Sequence, residues 1–149
     1  MSLAARDPLL LGAPAPEEAK VGAGDVVLDP SDPNVVYATL YARVRRPWSF
    51  TYGASASDGR DVGGIYRSTD AGATWRKLTN GLPTLTGRIG LALYAKNPKT
   101  VYAVEQSDEG GSQGLEDPYS KRGGVFRSDD GGEHWTRMSA LDPRPFYFS

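Results

Sequence analysis

An all-β protein made of two similar four-stranded units is what this sequence predicts. Three observations lead there. The phrase GIYRSTDAGATW (Gly64–Trp75) recurs 60 residues on as GVFRSDDGGEHW (Gly124–Trp135). Short runs rich in β-branched and aromatic residues alternate with Gly, Pro, Asn and Asp, which is how strands and tight turns are written. No stretch shows a helical period of useful length.

The elements follow in order. Residues 1–22 form an Ala/Pro-rich lead-in, and its three-leucine run is too short for a signal-peptide core. Residues 23–80 form the first unit, with strands expected near Asp25–Leu28, Val35–Ala42, Gly64–Ser68 and Thr74–Leu78. Residues 81–140 form the second, near Arg88–Leu93, Thr100–Glu105, Gly124–Ser128 and His134–Met138. Val26–Ala42 resembles Leu91–Ser107, each with an apolar run, a turn at Asp32-Pro33 or Asn97-Pro98, and a Val-Tyr-Ala strand. Residues 141–149 read as the start of a further unit. Eight short strands suit a sandwich. Four antiparallel strands per repeat suit β-propeller blades better. Two blades do not close a ring, so the expectation is an incomplete propeller completed by further blades or by homo-oligomerisation.

The repeated phrase lies between two strands and so reads as a hairpin turn. Ser68 and Asp70 are short polar side chains able to bond nearby backbone N–H groups. Gly72 supplies a positive φ, and Trp75 opens the outgoing strand with a large apolar ring. Ser68, Asp70, Gly72, Thr74 and Trp75, and again Ser128, Asp130, Gly132 and Trp135, resemble the Asp-box, or bacterial neuraminidase repeat, with His134 in the usual Thr place. The surrounding text is similar to the sortilin-type and xyloglucanase-type branch of these propellers. That resemblance implies a glycoside hydrolase-like protein that binds or processes carbohydrate, with this chain not catalytically complete alone. The alternative it implies is a non-catalytic propeller that binds protein or peptide. It also implies an extracellular or periplasmic location.

In such a blade the repeated hairpin shares one end with the turns at Asp32 and Asn97. The opposite end receives Arg43–Val62 and Glu105–Arg122, both long enough to point to function. Arg43, Arg45, Arg46, Trp48, Phe50 and Tyr52 form a basic-aromatic cluster suited to stacking on a sugar and gripping an anion. Its structural alternative is a loop anchored by Trp48 and Phe50 with solvated arginines. Asp25 and Arg88 open the innermost strands and either line a central site or pair structurally. Asp70 and Asp130 read as turn residues rather than as a catalytic carboxylate pair. The acidic stretch holding Glu105, Asp108, Glu109, Glu116 and Asp117 reads as a solvated loop.

Composition narrows the rest. The 17 basic and 18 acidic residues nearly cancel, so no basic stripe argues for nucleic acid or an anionic membrane. With no cysteine and one histidine, neither a zinc motif nor a nucleophilic triad can be assembled. The sequence implies no metal and no cofactor, and no apolar run approaches a membrane span.

Overall fold

The computed structural model describes residues 20–46, 49–52, 63–107 and 122–141. These form two antiparallel sheets, and no helix occurs among the described residues. The first sheet holds β1 (Lys20–Leu28), β2 (Val36–Arg46), β3 (Ser49–Tyr52), β4 (Gly64–Ser68) and β5 (Arg76–Leu78). Its order is β1-β2-β4-β5, with β3 paired to the far end of β2. The second sheet holds β6 (Ile89–Leu93), β7 (Val101–Glu105), β8 (Gly124–Ser128) and β9 (Thr136–Ser139), in that order. The second is a simple meander, the first is one interrupted by β3, and together they are two blades of an incomplete propeller.

Three details depart from the sequence reading. β1 starts at Lys20 rather than Asp25, with a register shift between Ala23 and Asp25 where Gly24 is passed over. A bulge of this kind absorbs a residue without ending the strand. β2 runs on to Arg46 and folds back as β3, so the stretch expected as loop opens as a β-arm. Thr74 and His134 belong to their turns rather than to the outgoing strands, because Asp70 and Asp130 hold their N–H groups.

Strand alternation sends one set of side chains between the sheets. Val35, Tyr37, Ile65 and Leu78 meet Ile89, Val101, Ala103, Phe126 and Trp135 there, all buried. A second buried cluster, Ala38, Leu40, Tyr66 and Trp75, lies on the opposite face of the first sheet. Leu40, Tyr66 and Trp75 correspond in the repeat to Glu105, Phe126 and Trp135. Each hairpin tryptophan is thus buried on the same side of its own blade.

Polar bonds tie β1 and β2 of the first sheet to β6 of the second. The Thr39 hydroxyl donates to the Ile89 carbonyl at 3.1 Å, and the Leu91 N–H donates to Asp25 Oδ2 at 2.9 Å. Farther out, the Trp135 N–H donates to the Asn80 carbonyl at 3.0 Å. Next to it, a Cβ on Gly81 would run into the Trp135 backbone, so the link between the blades fits only as glycine there.

Candidate functional site

The two hairpins are built alike. Ser68 Oγ donates to Asp70 Oδ1 at 2.7 Å and accepts the Gly72 N–H at 2.8 Å. Asp70 accepts the Thr74 N–H at 2.8 Å and the Thr74 hydroxyl at 2.6 Å. The Trp75 indole N–H donates to the Gly72 carbonyl at 3.0 Å. In the second hairpin Ser128, Asp130, Gly132 and Trp135 repeat every one of these bonds. The His134 ring nitrogen Nδ1 replaces the threonine hydroxyl, 2.6 Å from Asp130 Oδ2. Each turn is also tied to the first turn of its own blade, Ala71 N–H to Asn34 carbonyl and Gly131 N–H to Lys99 carbonyl.

These bonds favour the ionised form of both aspartates. The Thr74 hydroxyl, the Thr74 N–H and the Ser68 hydroxyl hold Asp70 down to about 2. The His134 N–H, the His134 ring and the Ser128 hydroxyl hold Asp130 well below the ordinary carboxylate range. A general acid needs the opposite shift. Both are exposed, fully ionised acceptors that fix a turn.

The opposite end of the blades carries the other sequence-predicted residues. Arg43, Arg45 and Arg46 lie on the far half of β2, in register with Tyr52, Phe50 and Ser49 of β3. The backbone register therefore pairs Arg43 with Tyr52 and Arg45 with Phe50. Trp48 lies outside the described residues, as do 53–62 and 108–121. Asp25 is half-buried, and its carboxylate accepts the Val26 and Leu91 N–H groups, which makes it a tie between β1 and β6. Arg88 is half-buried just before β6, and its carbonyl accepts the Gln106 N–H.

One residue at this end was misread from the sequence. Glu105 is the last residue of β7 and is fully buried, not part of a solvated loop. Gln106, Ser107 and Thr86 are buried around the same strand end. Ser107 Oγ donates to the Leu85 carbonyl at 2.6 Å, and the Gly87 N–H to the Gln106 carbonyl at 2.7 Å. Aligning the repeats does carry a signal here, since Glu105 falls where the first blade has the core residue Leu40. A buried carboxylate is kept only where partners offset the loss of water around it.

A cleft of about 460 Å³ lies elsewhere, lined by Arg127, Asp129, Asp130, His134, Thr136 and Met138 on the outer side of the second sheet. Among the described residues, no group of three His, Asp or Glu side chains is placed to hold a metal ion.

No protein-family model matches the chain. Over 76 residues, 51% of its length, it is 37% identical to a xyloglucanase from Paenibacillus sp.. The chain spans only 6% of that protein's length.

Proposed function

We propose that this chain forms two blades of an Asp-box propeller of the glycoside hydrolase type, and that its loop-bearing end binds carbohydrate. The observation that carries the reading is the 37% identity to a xyloglucanase over 76 residues. The paired hairpins support it, because they supply the Asp-box bonding pattern twice in equivalent places. The β2–β3 arm supports a binding role, since it sets Arg43 opposite Tyr52 and Arg45 opposite Phe50. Aromatic rings stack on sugar faces, and guanidinium groups grip hydroxyl or carboxylate oxygens bidentately. By itself the chain binds but does not cleave.

The test is titration calorimetry of the protein with xyloglucan oligosaccharides, alongside a reducing-end assay on the same mixtures. Saturable binding without new reducing ends is the expected result, weakened about tenfold or more, roughly 1.4 kcal/mol, by Arg45→Ala with Trp48→Ala. Absence of binding to any plant or bacterial glycan would sink the reading. Capture of peptides by the same residues would replace it with an interaction propeller.

A further inference from the structure

The contact between the two blades is a seat for a hairpin, and the chain holds a second seat of the same design. In the filled seat, the Tyr37 hydroxyl donates to the Gly131 carbonyl at 3.1 Å. The Arg67 guanidinium stacks 5.8 Å from the centre of the Tyr37 ring and pairs with Glu133 at 3.2 Å. Arg76 pairs with the same carboxylate. Leu78 closes the seat against Gly132, where a Cβ would come within 2.5 Å of Leu78 Cδ1.

The repeat carries these positions to Tyr102, Arg127, Thr136 and Met138 in the second blade. Arg127 stacks over Tyr102 at 5.7 Å, so the pair is already arranged as in the filled seat. Tyr37 and Leu78 are 1% and 2% exposed, while Tyr102 and Met138 are 38% and 57% exposed. The 460 Å³ cleft lies at this place. Contiguous apolar and aromatic surface held in a binding geometry marks an interaction site.

Charge says which hairpin fits. Arg67 has Thr69 beside it and takes its anion, Glu133, from the incoming turn. Arg127 has Asp129 instead, paired at 2.7 Å, and Thr136 stands where the first blade has Arg76. The second seat therefore needs no acid at the Glu133 position. The first hairpin offers Ala73 there. It keeps Gly72 at the place of Gly132, with φ of +89° against +92°. Ala71 takes the place of Gly131 with the same positive φ, 57° against 74°. A Cβ at Gly131 would meet Tyr37 and Arg67 only at 3.4–3.6 Å, so alanine fits that seat. Asp70, Ala71, Ala73 and Thr74 are exposed and available.

We propose that the outer face of the second blade, at Tyr102, Arg127, Thr136 and Met138, receives the first hairpin of a second copy of this chain. The interface is heterologous, with different surfaces meeting head to tail, so copies add to a ring or a filament. This inference rests on the contact between blades and not on the carbohydrate reading.

Sedimentation of the full chain from low micromolar to millimolar concentration tests it. The weight-average mass should rise with concentration above the 16.0 kDa monomer. Ala73→Arg sets a cation against Arg127, and Met138→Asp puts a charge into the seat. Each should weaken association about tenfold or more. Both positions are exposed, and circular dichroism checks that the sheets persist. An equimolar mixture of the two variants should form dimers and nothing larger, because each lacks a different half of the interface. Monomer mass over the whole range overturns the proposal. So does undiminished association of either variant, or a mixture that fails to pair.

Discussion

Gly72 and Gly132 occupy the same place in equivalent hairpins, with φ of +89° and +92°. Alanine at either position costs about 1–2 kcal/mol for the left-handed backbone alone. The surroundings differ. At Gly72 the new Cβ would lie 3.5 Å from the Trp75 ring, an ordinary contact. At Gly132 it would lie 2.5 Å from Leu78 Cδ1, inside the core between the blades. Overpacking of that kind adds about 1–3 kcal/mol. Gly132→Ala should therefore destabilise the protein by about 1–3 kcal/mol more than Gly72→Ala. Urea unfolding at low protein concentration measures both against wild type, with the slope checked for constancy. For a chain of this size the gap appears in thermal melts as roughly 2–4 °C per kcal/mol. Equal losses, or a larger loss for Gly72→Ala, would refute the packing of the second hairpin into the first blade.

Tyr37→Phe removes a buried hydroxyl that donates to Gly131, and should lower stability by about 1 kcal/mol in the same urea assay. Glu133→Gln breaks the pairs with Arg67 and Arg76. Because Glu133 is 42% exposed, the loss should stay below about 1 kcal/mol and vanish in 1 M salt. Asp70 has a folded-state pKa depressed to about 2. Its stabilising contribution is present above the unfolded value of about 3.9 and is lost as pH falls through the folded one. Melting temperature should drop on acidification from about pH 4 to pH 2, and Asp70→Asn should flatten that drop. An unchanged slope in the variant would remove Asp70 from the account.

Much of the fold is legible because the repeat is legible. Ser68, Asp70, Gly72 and Trp75 name a hairpin by their own local chemistry, and the second copy places it again. Local bonds of this kind need no knowledge of the partner sheet. The early start of β1 was hidden because Gly22 and Gly24 interrupt its strand composition. The β2–β3 arm was hidden because Arg43, Arg45 and Arg46 make a strand look like a solvated loop. Glu105 was assigned by its acidic neighbours, although the pairing of Val101–Glu105 with β6 and β8 decides its burial. The seat at Tyr37 and Arg67 depends on a hairpin 94 residues away. Its only trace in the sequence is that Tyr and Arg return together, as Tyr102 and Arg127.

The bonds that shape each hairpin and those that join the blades differ in reach. Those inside each hairpin join residues two to four apart, and the meander pairs neighbouring strands. The ties between blades, Leu91 to Asp25 and Tyr37 to Gly131, span 66 and 94 residues. Closing such long loops is slow, whereas a hairpin closes in microseconds. Each hairpin therefore has the means to close before the two blades meet and bury the core between them. Loop-closure entropy predicts docking of the blades, in which Asp25 and Tyr37 take their partners, as the late event. The same entropy predicts that those two contacts are released early when the protein unfolds.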